Sequence, residues 1–528
     1  MQRRVYPESV MGEWDPQELQ ELGYELVETH ISRVFMTDRD VFKTKRPVAL
    51  GFLNYATLAM RADACRAEVL YNRRLAPDVY LEVVALMRDD SGQLCFRGVD
   101  EVGSDAVLEW AVHMRRLPDR QRADVLMARG DLSPLDIDEL ALLLARFHRE
   151  ARSDAEVARS GSPERIRHHV EENFAQTERS AASYLDPEER ATIVAFQRRF
   201  IERNHALLVA RAAAGRTREG HGDLRLEHCY RGDDGRFVVI DCIEFNDQLR
   251  CGDVCADLAF LAMDLSYHGR VDLAERLVAT YARDSCDYEL YAVLAFYESY
   301  RAVVRAKVSS ILADDPGVSE ASRLLGRREA RRYYLLALAA SARPLVTPRV
   351  IVTMGLIASG KSTIATRLGE YLNAPVLCAD AIRKQLLGGG PTDAHHDPAF
   401  QGAYGSEVTE LVYLHMQERA AHVLRSGRSV ILDGSFRTRL QRDAARTLAE
   451  TERAEVTFLE CRCERAEAMR RLAKRAQGAS VSDGRGEIYD AFAAKFEAPV
   501  ELLESEHRVV DTSGPLERTL ESVLARLS

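Results

Sequence analysis

The sequence has no apolar run long enough to cross a bilayer. Its longest apolar stretches, such as residues 333–340, are much shorter than the roughly 20 residues that a spanning helix needs. Residues 1–9 contain two arginines but no apolar segment of the kind that signal peptides carry. We therefore expect a cytoplasmic protein that makes no use of a membrane.

Cysteine pairs with metal-site spacing are also missing. Ten cysteines are scattered over 528 residues, and the closest pairs, Cys251/Cys255 and Cys461/Cys463, have no second ligand pair at the spacing of a zinc site. We interpret these residues as buried free thiols.

An excess of positive charge is absent as well. The 72 basic residues are outnumbered by 82 acidic ones, which gives a net charge of −10. This balance argues against nonspecific nucleic-acid binding by the whole surface and favours small-molecule partners. A local basic groove is still compatible with it.

The length and pattern of the chain predict at least two domains. A chain of 528 residues exceeds one ordinary hydrophobic core. Beyond an Ala-rich helix that ends near Pro344, short apolar strands alternate with helical segments, which is typical of a parallel sheet covered by helices on both faces. We place the main boundary there, between a first domain at 1–345 and a second at 349–528.

The second domain opens with a glycine-rich turn, Gly355-Leu-Ile-Ala-Ser-Gly-Lys-Ser362, between a strand and a helix. In such a P-loop, backbone N–H groups at a helix N-terminus converge on phosphate oxygens, the lysine reaches the β- and γ-phosphates, and the final hydroxyl holds Mg²⁺. This motif predicts binding of ATP and Mg²⁺. The predicted nucleotide ligands are Gly355, Ser359, Gly360, Lys361, Ser362 and Thr363, with Lys361 also catalytic and Ser362 also a metal ligand.

Other residues of the same domain suit a kinase. Asp433 ends the strand 429–433, where a magnesium carboxylate is required, although a turn residue would look the same. Asp380 is positioned to take the proton of an attacking hydroxyl while Arg383 holds the acceptor, although Asp380 could also be an N-cap. Arg471 and Arg475, at i,i+4 spacing, are candidate lid residues over the transferring phosphates or a solvated basic face. The domain resembles the small P-loop kinases of the gluconate kinase, polynucleotide kinase and zeta-toxin group.

The first domain begins with a β-rich lobe, at 1–118, and continues with a mainly helical lobe at 119–345. The helical lobe contains His221-Gly222-Asp223, and Asp241 follows eighteen residues later in a predicted strand, 237–243. This spacing suits phosphoryl transfer, with Asp223 as the base and Asp241 as a Mg²⁺ ligand. Upstream, Lys43 on a strand and Glu68 on the next helix match the lysine–glutamate pair that positions α- and β-phosphates in kinases.

These residues resemble the aminoglycoside phosphotransferase family, whose two-lobed fold is that of the protein kinases. The whole chain resembles bacterial fusions of such a domain with a P-loop kinase. The resemblance implies the same roles for Asp223, Asp241, Lys43 and Glu68, a lobe hinge at 109–114, and a metal-ligand position at His228. Because Lys45 faces the same way as Lys43 on a strand, Lys45 could be the phosphate-binding lysine in place of Lys43.

The first domain departs from that family at the metal site. His228 stands where the family has a metal-binding asparagine, and imidazole is a poorer ligand for Mg²⁺ than an amide oxygen. Glu244, three residues past Asp241, is a possible substitute carboxylate. Catalysis by this domain is therefore less firmly predicted than nucleotide binding.

Taken together, the sequence predicts a multidomain α+β and α/β protein with two ATP-dependent, Mg²⁺-using kinase modules that phosphorylate hydroxyl groups of small molecules. One alternative is a single active P-loop kinase regulated by a ligand-sensing first domain. Another is a nucleotide-dependent interaction protein of the toxin or regulator type. A nucleic-acid 5′-hydroxyl also stays open as an acceptor for the second domain.

Overall fold

A computed structural model describes residues 4–5, 14–50, 53–101, 106–342, 346–388, 400–475 and 484–527. These residues form two compact units. The first contains residues 1–269 and 298–337, and the second contains residues 270–297 and 338–528. None of the described helices is both long and apolar enough to cross a membrane.

The first unit contains a six-stranded antiparallel sheet, as the alternating apolar pattern of its strands predicts. One face packs Phe35, Phe42, Leu86 and Phe96 into a core, in which the rings of Phe42 and Phe96 stack 4.1 Å apart. Helix Leu58–Asn72 covers the other face. In spatial order the strands are Glu25–Glu28, Ser32–Met36, Asp40–Lys45, Glu109–Arg115, Tyr80–Arg88 and Leu94–Gly98.

The rest of the first unit is mainly helical, with three small antiparallel sheets. Most of its helices begin at a Ser, Thr, Asp or Asn N-cap, as in the capping box of Ser133. The helices are Pro16–Glu21, Ala123–Arg129, Pro134–Glu150, Ala155–Ser160, Pro163–Ala181, Pro187–Arg203, His205–Ala213, Asp247–Arg250 and Val254–Tyr267, and the helices Leu290–Asp314 and Glu320–Ala340 each contain residues of both units. The small sheets pair Arg4–Val5, Val48–Leu50 and Leu53–Asn54, then Thr217–Glu219 with Cys251–Asp253, then Cys229–Arg231 with Phe237–Val239.

Two sequence predictions in this unit were wrong in detail. The strand predicted at 237–243 ends at Val239, because Asp241 adopts a positive φ of 66° that a strand does not allow. The predicted hinge at 109–114 lies instead within the strand Glu109–Arg115, which pairs with strands on both sides. Its run of alternating apolar residues is that of a central strand, so the chain leaves the sheet only after Arg115.

The second unit is built on a five-stranded parallel sheet, in agreement with the predicted alternation of strands and helices. Its strands, in spatial order, are Val376–Cys378, Val430–Asp433, Arg349–Met354, Glu455–Arg462 and His507–Asp511. The central strand is buried along almost its whole length. The helices are Val271–Ser285, Lys361–Leu372, Ala379–Leu386, Ser406–Arg425, Arg439–Thr451, Arg465–Arg475, Gly486–Ala494 and Leu516–Leu527.

Residues 270–297 belong to this second compact unit although they precede the boundary predicted from the sequence. Helix Val271–Ser285 contacts the edge strand Val376–Cys378, and the Tyr288 hydroxyl lies 3.5 Å from the carbonyl oxygen of Val376. Arg428, at the start of the neighbouring strand, donates to both carboxylate oxygens of Glu275 at 2.6 and 2.8 Å. The edge strand of the sheet is thus covered rather than exposed.

We expect this ion pair to stabilise the second unit. Reversing one charge, with Glu275→Arg or Arg428→Glu, places like charges together in a half-buried position and should lower the stability by about 1–2 kcal/mol. The double variant restores the attraction and should recover most of the loss. Thermal unfolding of the four proteins measures this coupling. Additive losses in the double variant would contradict the stabilising role of the pair.

Candidate active sites

The P-loop, residues 355–363, forms the turn that its glycines predict. Gly355, Ala358 and Gly360 have positive φ angles of 134°, 60° and 87°. A Cβ on Gly355 would lie 2.4 Å from the carbonyl oxygen of Cys461, so this position accepts only glycine. The loop then enters helix Lys361–Leu372, whose N-terminus carries the partial positive charge that attracts phosphate.

The polar side chains around this loop include one that lacks a partner. The hydroxyl of Ser359 is buried and has no hydrogen-bond partner in the described structure. The Lys361 ammonium donates to the carbonyl oxygen of Leu356 at 2.6 Å, and its burial lowers the pKa of Lys361 although Asp433 opposes that shift. Both observations fit a phosphate group, which would supply an acceptor to the hydroxyl and a negative charge to the lysine.

The same residues fit the magnesium ion that a nucleotide carries. Thr353 donates its hydroxyl hydrogen to one oxygen of Asp433 at 3.0 Å, which leaves the other carboxylate oxygen for a cation. Ser362, exposed at the start of the helix, would be the second protein ligand. The ion would neutralise charge on the phosphates. The described residues contain no larger cluster of His, Cys, Asp or Glu that could hold a metal by itself.

One pocket brings most of the predicted P-loop-domain residues together. The P-loop lies along its wall, with Asp380, Arg383, Asp433 and Arg475 around it. Arg471 is placed differently from its partner Arg475: it donates to the carbonyl oxygens of Thr512 and Ala358 and does not line the pocket.

In the first unit, Lys43 is the lysine that joins the predicted glutamate and the predicted metal aspartate. Its ammonium donates to Glu68 at 2.8 Å and to Asp241 at 2.7 Å. Lys45, two residues on, is more deeply buried and bridges Glu68 to Glu244. Glu244 also accepts from the Tyr55 hydroxyl at 2.8 Å. The geometry therefore ties Glu244 to Lys45 and leaves Asp241 as the carboxylate next to Lys43.

The backbone around Asp241 explains the position of its half-exposed carboxylate. Its positive φ turns the chain out of the preceding strand, and its N–H donates to the Tyr80 hydroxyl at 3.1 Å. Burial disfavours the charged carboxylate, but Lys43 and His228 outweigh it and lower the pKa of Asp241. The group is thus ionised, as a magnesium ligand must be.

Asp223, the predicted base, is bound by a neighbour that the sequence reasoning missed. Arg225 holds both oxygens of the Asp223 carboxylate, with distances of 3.2 and 3.0 Å. Burial would raise the pKa of Asp223, but Arg225 and then His228 lower it more. The Nδ1 atom of His228 lies 2.7 Å from the Asp223 carbonyl oxygen, and its Nε2 lies 3.7 Å from Asp241.

His221 is a neutral residue that stabilises the loop containing Asp223. Its Nε2 lies 2.9 Å from the carbonyl oxygen of Ile240, and its Nδ1 accepts from the N–H of Asp223 at 3.3 Å. Burial lowers the pKa of His221 to about 4. The backbone N–H groups of His221 and Gly222 both donate to Asp257, which fixes the path of the chain into Asp223.

The two lysines on the strand provide a direct test of this geometry. In Lys45→Met, the buried carboxylates of Glu68 and Glu244 lose a shared cation, which should cost about 3–5 kcal/mol. In Lys43→Met, Glu68 keeps Lys45 and the half-exposed Asp241 can be hydrated, so the cost should be nearer 1 kcal/mol.

Both variants are made in a Lys361→Met background, which removes the contribution of the P-loop to nucleotide binding. In this background, we expect stabilisation by Mg-ADP to be lost in Lys43→Met. Thermal unfolding with and without the nucleotide measures both effects. A smaller stability loss in Lys45→Met than in Lys43→Met would reverse the assignment of the two lysines.

Family models match both parts of the chain. A model described as the phosphotransferase enzyme family matches residues 61–297, and one described as an AAA domain matches residues 350–499. The first unit is accordingly kinase-like, and the second contains a P-loop kinase-like domain with a parallel sheet.

Among solved structures, a gluconokinase from Sinorhizobium meliloti is 22% identical, covers 35% of this chain and 93% of its own, and has a TM-score of 0.26. A choline/ethanolamine kinase family protein from Mesorhizobium loti is 13% identical, with coverages of 64% and 95% and a TM-score of 0.36. The GDP complex of aminoglycoside 2′-phosphotransferase-IIIa is 16% identical, with coverages of 59% and 92% and a TM-score of 0.35.

Relatives that match nearly the whole chain occur in mycobacteria. The uncharacterized protein Rv2004c of Mycobacterium tuberculosis H37Rv and the uncharacterized protein Mb2027c of Mycobacterium bovis are each 31% identical over 493 residues, which is 93% of this chain and 93% of theirs. The chain belongs to the same family as these mycobacterial proteins, and in it a kinase-like domain of the phosphotransferase enzyme family precedes a P-loop domain.

Proposed function

We propose that the P-loop module transfers the γ-phosphate of ATP to a hydroxyl group of a small-molecule acceptor. The observation that carries this proposal is the single pocket in which the P-loop and Asp433 lie together with Asp380 and Arg383. Asp380 is a carboxylate available to take the proton of an acceptor hydroxyl, and Arg383 is a buried cation available to hold the acceptor.

The transfer is an in-line displacement. The acceptor oxygen forms a bond to the γ-phosphorus, the bond from that phosphorus to the β,γ-bridging oxygen breaks, and ADP leaves with the electron pair. Asp380 accepts the hydroxyl proton. Lys361 and Arg475 stabilise the negative charge on the transferring group. Ser362 and Asp433 would hold the Mg²⁺ ion of the nucleotide, which would neutralise further charge on the phosphates.

We propose a second phosphotransferase site in the first unit, with Asp223 as base, Lys43 and Glu68 at the nucleotide phosphates, and Asp241 with His228 at the metal. The ion pairs from Lys43 to Glu68 and Asp241 support it. The acceptors of both modules are, on this proposal, small molecules with a free hydroxyl.

A specific observation favours a second candidate for that unit. Asp223 is paired with Arg225, and a paired carboxylate is a weaker base than a free one. His228 is also a poor ligand for Mg²⁺. If Arg225 stays in place when nucleotide binds, the first unit senses a ligand and regulates the P-loop kinase instead of transferring phosphate.

Transfer of labelled γ-phosphate from Mg-ATP to a metabolite extract tests both proposals. Lys361→Met should reduce one set of labelled products by about a hundredfold or more, and Asp223→Asn should reduce a different set by a similar factor. Arg367→Met, an exposed change on the helix of Lys361, and Asp233→Asn, an exposed change in the first unit, serve as matched controls.

Each outcome of this assay indicates a different function for the protein. Loss of products only in Lys361→Met leaves the first unit as a sensor. No labelled small molecule from the parent protein would overturn the kinase proposal, and ATP hydrolysis with a stable protein partner would then favour the interaction protein. Label on an added 5′-hydroxyl oligonucleotide would replace the small-molecule acceptor by a nucleic acid.

A further inference from the structure

One part of the P-loop pocket contains two arginines, Arg383 and Arg437, together with aromatic rings. The guanidinium group of Arg383 lies over the Tyr404 ring, and that of Arg437 lies over Phe400 and Phe492. The pocket lining also includes the aromatic residues Tyr413 and Phe496. We call this region the arginine end of the pocket.

Arg383 is buried there without the partners that a guanidinium needs. The residue is only 5% exposed, and its Nε and Nη1 atoms have no hydrogen-bond partner. Its guanidinium carbon lies 4.5 Å from the centre of the Tyr404 ring. Because arginine stays charged, two buried nitrogen atoms whose hydrogens have no acceptor are costly unless a ligand accepts from them.

Arg437 lies against a pair of stacked aromatic rings. Its guanidinium carbon lies 4.4 Å from the centre of Phe400 and 5.6 Å from that of Phe492, and those two rings stack 4.7 Å apart. Burial lowers the pKa of Arg437, and the nearby charge of Arg383 lowers it further. Within the described parts of the chain, neither arginine has a carboxylate within ion-pair distance.

The charged neighbours of Arg437 differ from those of Lys361. The charged groups that act on Lys361 are Asp433, Asp380 and Arg475. Those that act on Arg437 are Arg383 and Glu497, together with the phenol of Tyr413. Glu497 is itself engaged by the backbone N–H of Arg439. The pocket lining therefore contains two cations, Arg383 and Arg437, in addition to Lys361 and Arg475.

We propose that the acceptor of the P-loop module is an anion whose carboxylate or phosphate group binds between Arg383 and Arg437, with an apolar or planar part of the molecule against Phe400 and Phe492. Guanidinium forks match the two oxygens of either group, and the aromatic rings keep water from the ion pair. This inference rests on the proposed function of the same site, because it names the class of its acceptor.

Fractionation of the metabolite extract before the reaction tests the acceptor charge. The extract is passed over an anion-exchange resin at neutral pH, and the full-length protein is assayed with Mg-[γ-³²P]ATP on the retained and the unretained fractions. We expect phosphotransfer that depends on Lys361 only in the retained fraction. Such transfer to a compound in the unretained fraction overturns the proposal. Absence of transfer in both fractions means that the proposed function itself has failed.

Pretreatment of the retained fraction with alkaline phosphatase, which is removed before the assay, distinguishes the two anions. Loss of the acceptor identifies a phosphate ester, and persistence identifies a carboxylate. Either result is compatible with the guanidinium pair, so the charge test and the variants decide the proposal.

Variants assign the binding to the two arginines. In Arg437→Gln and Arg383→Gln, the acceptor concentration for half-maximal rate should rise about tenfold to a hundredfold, with a much smaller change for ATP. Arg437→Lys, which keeps the charge, should recover part of the loss and controls for misfolding. Equal effects on ATP and acceptor would place the arginines at the nucleotide phosphates and overturn the assignment, as would unchanged acceptor binding.

Discussion

Both sites depend on how ionised side chains are neutralised once they are buried. In the first unit the charges neutralise one another: Lys43 joins Glu68 to Asp241, and Arg225 joins Asp223. At the arginine end of the P-loop pocket they do not, because Arg383 and Arg437 have no carboxylate partner among the described residues. Since an unpaired buried charge is costly, the charges of the first site are balanced by one another, whereas we propose that an anionic ligand balances those at the arginine end.

In both sites, positive backbone φ angles determine where the functional groups lie. In the P-loop, positive φ angles at Gly355 and Gly360 bring N–H groups to the start of a helix. In the first unit, the positive φ of Asp241 ends a strand early and turns the carboxylate toward Lys43. The same carboxylate would be carried to another position if the strand continued as its apolar sequence suggests. The left-handed backbone of Asp241 therefore determines that its carboxylate lies beside Lys43.

Much of the architecture was predictable because local patterns determine it. The P-loop motif and the strand–helix alternation after residue 349 gave the parallel sheet, and Lys43 with Glu68 followed from strand and helix periodicity. The roles of Arg225, Arg437 and Phe492 were not predictable, because each depends on contacts between distant segments. For Arg225 a signal was present, since a cation two residues after the predicted base lies within reach of its carboxylate. The position of Arg471 at Thr512 likewise depends on tertiary packing.

The central claim is that one chain carries two nucleotide sites, and their number can be counted. Calorimetric titration of the full-length protein with a non-hydrolysable ATP analogue and Mg²⁺ measures it most directly. We expect two sites per chain, one of which disappears in Lys361→Met and the other in Asp241→Asn. A single site that is lost in Lys361→Met and unaffected by Asp241→Asn would contradict the account of the first unit.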